Sequence, residues 1–124
     1  MLGNALICGK DPQLLATRKL LLEKAGFRVI ETNSADAIDD LVIEEPFDLV
    51  VLGQSMEELE LSEAIRIVCL RWPLARILIM NVTGQPIVDA PNCEHLRSLD
   101  GPAALLSKAK EMVNVAREVN SPTV

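Results

Sequence analysis

The sequence predicts a three-layer α/β/α domain built on a parallel, doubly wound sheet, and three observations predict it. Short apolar runs of strand length alternate with amphipathic stretches of helix length along the 124 residues. The best of those runs are continuous rather than alternating, as strands covered on both faces must be. The connections are short and rich in Gly, Pro, Asp and Ser, so each right-handed crossover returns the chain to the same sheet. One domain is expected over 1–124, with its core at about 4–119 and a frayed tail at 120–124, because a chain of this length can bury a self-sufficient core.

Asn4 to Cys8 reads as a buried first strand ending at Gly9. Asp11 can cap the helix that follows and Pro12 suits its first position, with Leu14, Leu15, Leu21, Leu22 and Ala25 on one broad face and Gly26 at its end. Phe27 to Glu31 forms a second strand. Ser34 caps a second helix whose buried stripe is Ile38, Leu41 and Val42 and which Pro46 closes. Phe47 to Leu52 is the strongest strand and is placed at the sheet centre, terminated by Gly53. Leu61, Ile65, Val68 and Trp72 recur at helical spacing until Pro73, and Ile77 to Met80 supply a fourth strand. Thr83 to Asn92 interrupts any pattern. A weaker fifth strand covers Cys93 to Leu99, and Leu105, Ala109, Met112, Ala116 and Val119 mark a long final helix. Five such units give a flavodoxin-like fold, in which sites form where strands end at the carboxyl edge.

Composition narrows the function. No apolar run approaches the ~18 residues needed to cross a bilayer, and the start of the chain lacks the basic and long apolar segments of a secretory signal. Cys8, Cys69 and Cys93 are an odd number without metal-ligand spacing, which fits reduced core thiols in a cytoplasm. A net charge of −6, two Phe, one Trp and no Tyr argue against nucleic acid as a direct partner, since phosphate binding needs clustered cations and base stacking needs aromatic rings. The charge is also lopsided. Eleven acidic residues and no Lys or Arg lie between Val29 and Ile65, a surface that could steer a basic partner or serve only solubility.

From about residue 4 to 119 the chain resembles the receiver domains of bacterial response regulators, the CheY-like superfamily. The resemblance is carried by Ala5-Leu6-Ile7-Cys8 before Asp11-Pro12, by Ala25-Gly26-Phe27, by Pro46-Phe47-Asp48-Leu49-Val50-Val51-Leu52 and by Ile77 to Met80. It implies the strand order 2-1-3-4-5 and a phosphorelay signalling role. It also implies a phosphoacceptor aspartate directly after the third strand, where this chain has Gly53, which has no side chain to phosphorylate. The acidic pair that holds Mg²⁺ in the family falls on Gly9 and Lys10 when Asp11-Pro12 sets the register, so no metal or other cofactor is expected. The hydroxyl residue after the fourth strand corresponds to Asn81, with Thr83 two residues too late, and the family lysine falls on Ser98. The aromatic switch position becomes His95. Seventeen positions separate Asn81 from Ser98, which is short for the family and implies a shortened or remodelled fourth helix.

These departures describe a degenerate pocket of Gly53, Gly9, Lys10, Asp11, Asn81 and Ser98. Lys10 could imitate the lost cation, pair with Asp11 or Asp48, or simply be exposed. Gly9-Lys10 lacks the rest of a P-loop. His95 could sense pH, and Cys8 beside Lys10 could be a reactive thiol, but a surface or strand-end histidine and a packed cysteine are the plainer readings. No nucleophile–base pair or catalytic carboxylate pair is apparent, so an enzyme is not expected; Ser55 would be a poor substitute acceptor. The expectation is therefore a pseudo-receiver that binds protein partners. In the family the face of the fourth helix, fifth strand and last helix mediates dimerisation or output, and here it would carry His95 and Arg97, with a homodimer among the options. The alternative is a small-ligand or anion sensor using the vacated crevice around Gly9, Lys10, Gly53, Gln54 and Asn81.

Overall fold

The computed structural model describes residues 2–43, 45–53, 56–81 and 92–120, with side chains left aside at 99 and 115–120. In chain order the elements are β1 (Gly3–Cys8), α1 (Pro12–Ala25), β2 (Phe27–Thr32), α2 (Ala35–Asp39), β3 (Leu49–Leu52), α3 (Glu58–Arg71), β4 (Arg76–Asn81), β5 (Cys93–Arg97), a 3₁₀ turn (Ser98–Asp100) and α4 (Pro102–Asn120). The five strands form one parallel sheet in the order β2-β1-β3-β4-β5, as the sequence predicts. The expected fourth helix, Thr83, Gln54 and Ser55 lie outside the described residues.

The sheet is covered on both faces because its central strands are apolar on both. Leu6, Val50, Leu52, Ile77 and Ile79 pack with Ile38, Leu61, Ala64, Val68 and Trp72 of the α2–α3 layer. Ala5, Ile7, Leu49, Val51, Leu78 and Met80 pack with Leu15, Leu22, Leu105, Ala109 and Met112 of the α1–α4 layer. Phe47 meets Trp72 edge to face, with ring centroids 4.8 Å apart.

Local chemistry sets the helix ends. The Asp11 carboxylate accepts from the backbone N–H of Gln13 at 3.0 Å and Leu14 at 3.3 Å, and Pro12 needs no acceptor for a donor it lacks. Gly26 ends α1 with φ +108°, a left-handed conformation open to a residue without Cβ. The Ser34 hydroxyl accepts from Ala37 N at 3.0 Å and starts α2.

Three elements differ from expectation. Helix α2 stops at Asp39 rather than reaching Pro46, leaving Leu41 half-buried and Val42 97% exposed. The cause lies in α3: the Arg71 guanidinium donates to the carbonyls of Ile38 (2.7 Å), Asp39 (3.0 Å) and Leu41, taking the acceptors that further turns of helix would use. Strand β3 begins at Leu49, and Asp48 just before it ties the amino edge to β1. Its backbone N donates to Asn4 O and its Oδ2 accepts from Asn4 N, both at 2.8 Å. Strand β5 ends at Arg97, where the Arg97 guanidinium donates to Asp100 Oδ1 and the chain tightens into the 3₁₀ turn.

Replacing Arg71 by Met keeps much of its apolar stem and removes the donors. It should lower unfolding free energy by about 1–3 kcal/mol, as expected when half-buried carbonyls lose charged partners, with urea denaturation as the measurement. Amide exchange should accelerate most in α2.

Candidate functional site

The carboxyl ends of β1, β3 and β4 meet at one edge, and the loops leaving them bring the sequence-expected residues together. Strand pairing extends into these loops: Gly53 N donates to Cys8 O at 2.8 Å and Gly9 N to Thr32 O at 3.3 Å. Gly9 and Gly53 are buried, while Asp11 is held as the α1 cap. Asn81 is the last residue of β4, in register with Arg97, and Ser98 opens the 3₁₀ turn beyond β5.

Lys10 is exposed, as one of the sequence expectations has it. Its ammonium donates to Asn33 O at 2.6 Å and to Glu60 Oε2 at 2.9 Å, tying the β1–α1 loop to the β2–α2 loop and to α3. Glu60 Oε2 also accepts from Ala35 N at 3.3 Å, so this carboxylate lies at the start of α2 where the helix dipole favours negative charge. Asp48 is at the opposite edge of the sheet, beside Asn4.

The cation that does reach Gly53 comes from α1. A Cβ placed on Gly53 would lie 3.1 Å from Arg18 Nη1, 3.1 Å from Cys8 O and 3.4 Å from Gly9 Cα. Arg18 is only 6% exposed, and among the described residues its guanidinium forms no hydrogen bond or ion pair. Burial lowers its pKa, opposed by the charge of Asp11. Arg18 also lines a cleft of about 160 Å³ between α1 and α4, walled by Leu14, Leu21, Met80, Leu105 and Ser98. The sequence reading passed over it. The signal was present, since Arg18 stands three and four residues from Leu14, Leu15, Leu21 and Leu22, inside the apolar stripe of the helix.

The residues at the resemblance's Mg²⁺ positions do not fit a divalent cation. Asp11 is the one carboxylate among Gly9, Lys10, Asp11 and Gly53, one of its oxygens serves the helix cap, and the Arg18 guanidinium borders Gly53. Among the described residues no three His, Cys, Asp or Glu side chains gather into a metal-holding group.

The remaining candidates lie on β5 and at the end of β1. His95 is half-buried on β5, opposite Ile79, and burial lowers its pKa. Arg97 is exposed and paired with Asp100. Cys8 is 1% exposed and burial raises its thiol pKa against the lowering influence of Thr32, so it is packed rather than activated. Cys93 is pushed up to about 11 by burial and by neighbouring Cys69. On the β5–α4 face Glu94 bridges Arg76 at 3.1 Å and Lys108 at 2.7 Å. Burial alone would raise the Glu94 carboxyl, but the two cations outweigh it and hold it below its ordinary value.

No protein-family model matches the chain, and no curated protein is significantly similar in sequence. Solved structures are similar along nearly its whole length. A receiver domain of a histidine kinase from Syntrophus aciditrophicus aligns with TM-score 0.77 at 15% identity, covering 98% of each chain. A CheY-like response regulator receiver domain from Methanospirillum hungatei gives 0.74 at 19%, covering 97% of this chain and all of the other. The receiver domain of a Pseudomonas aeruginosa sensor histidine kinase, which has magnesium coordinated in its active-site cleft, gives 0.74 at 12%, covering 90% and 98%. The class defined by this architecture is the doubly wound flavodoxin-like domain. Within that class the fold is the CheY-like fold of receiver domains.

Two outcomes follow. Gly53→Ala should lower stability by about 1–3 kcal/mol through overpacking against Cys8 O and Arg18, measured by urea denaturation. Because the folded Glu94 pKa is lowered, its contribution is present above the ordinary carboxylate value and lost as pH falls through the lowered one. Glu94→Gln should therefore lose less stability than the parent on acidification from neutral pH to below about 4, measured as melting temperature against pH.

Proposed function

We propose that the chain is a receiver-like signalling module of the two-component type that is not phosphorylated on aspartate and acts by binding protein partners rather than as an enzyme. The observation that carries this reading is the edge of β3. Where a receiver acceptor would stand the chain has Gly53, and the space its side chain would enter is bordered by the Arg18 guanidinium and the Cys8 carbonyl. A glycine cannot form an acyl phosphate, and the neighbouring Lys10 is committed to Glu60 and Asn33.

Partner binding is supported by the surface. Leu59 and Leu70 on α3 and Leu74 just beyond it are 86%, 70% and 70% exposed, beside the acidic stretch that runs through α2 and into α3. Apolar side chains set in charge suit a docking face that steers a basic partner and then excludes water. No described helix is long and apolar enough to cross a membrane.

The test is intact mass and thermal melting with Mg²⁺ and acetyl phosphate, alongside a phosphorylatable receiver. This chain should gain no phosphoryl mass and no metal-linked stabilisation, while the control gains both. A stable phosphoryl adduct would sink the reading.

A further inference from the structure

We propose that the α1–α4 cleft is a binding site for a small monocarboxylate with a short apolar tail, whose carboxylate is received by Arg18. The inference is independent of the partner-binding reading, since it rests on this cleft alone. It adjoins the crevice expected from the sequence, since Arg18 Nη1 borders Gly53, but its walls come from α1 and α4.

A buried charge without a partner is costly, and a folded protein normally pairs it or leaves it in water. Arg18 does neither. It is 94% buried by its 6% exposure, and among the described residues nothing accepts from its guanidinium. Asp11, the acidic residue whose charge it feels, is engaged as the α1 cap through Oδ1. Arg18 thus lines an open cleft of about 160 Å³ with donors that no described residue uses.

The shape of that cleft selects the ligand. Leu14, Leu21, Met80 and Leu105 supply an apolar lining, and Ser98 adds a hydroxyl near the mouth of α4. The Thr17 hydroxyl already donates to Gln13 O at 3.0 Å, so Arg18 is the principal anion donor. One guanidinium neutralises one negative charge and matches a carboxylate with two parallel N–H donors. A phosphate dianion would keep an unpaired charge against leucine side chains, because Lys10 is turned toward Glu60. A volume of 160 Å³ equals roughly five waters at ~30 Å³ each, room for a carboxylate and a few carbons.

Titration of the full chain with butyrate, butyramide and inorganic phosphate, followed by amide NMR shifts and by melting temperature, tests this. Butyrate should give saturable shifts centred on Thr17, Arg18 and Gly101 with a Kd at or below the order of 10 mM. Butyramide and phosphate should bind at least about tenfold more weakly, as expected for loss of a charge-assisted hydrogen bond or of charge balance. Arg18→Met should fold with a melting temperature at or above that of the parent, because an unpaired charge has been removed, and should lose the butyrate response by about tenfold or more. Arg18→Gln gives the same reading should Met repack the cleft. Absence of a saturable butyrate response in the parent, an equal response to butyramide or phosphate, or unchanged binding by both variants would overturn the proposal. None of these outcomes depends on whether the chain accepts a phosphoryl group or binds a protein.

Discussion

Strand β3 is the constraint from which the rest of the structure follows. All four of its residues are buried, and it is hydrogen-bonded to β1 on one side and β4 on the other. A strand apolar on both faces cannot border water on either, so one helix layer must close each side. Parallel crossovers then leave every strand pointing the same way, and the loops after β1, β3 and β4 collect at a single edge. The position of Gly53, and hence the chemistry beside it, is a consequence of that packing.

At this edge two unusual residues explain each other. Gly53 lacks the atoms that would press on Nη1 of Arg18, and Arg18 lies where such atoms would point. Its charge is borne by α1, a helix whose other inward positions, Leu15 and Leu22, are apolar and buried. In energetic terms this is a costly arrangement, since a partly desolvated guanidinium with no acceptor among the described residues works against folding while a leucine there would favour it. The cost falls at the place where the fold ordinarily offers its binding site.

Much of the fold was legible because it is written in backbone-level signals. Asp11-Pro12, Gly26 and Ser34 mark helix ends by satisfying or releasing particular N–H and C=O groups, and Leu49 to Leu52 declares a two-sided strand by its unbroken apolarity. The errors have a common origin in side chains arriving from distant sequence. Helix α2 is cut short by Arg71, some thirty positions away in α3; Lys10 is exposed, as one expectation had it, but its partner Glu60 likewise comes from 50 positions away. Arg18 was missed for a different reason: an isolated cation in an apolar stripe was absorbed into the helix pattern, when its misfit was the information. That Gly53 follows the third strand could be read directly from the sequence, but what borders it could not.

The Arg71 clasp also changes how α2 should be thought of mechanically. A helix of five residues has too few internal hydrogen bonds to hold itself in water. Its carboxyl end is instead fastened to α3, and the same guanidinium lies 4.6 Å from the centre of the Trp72 ring, which is anchored against Phe47. Helix α2 is therefore less an independent element than an outrigger of α3. Because that guanidinium holds the carbonyls of Ile38, Asp39 and Leu41 at once, a displacement of α3 would draw α2 and the chain just after it along as a single body.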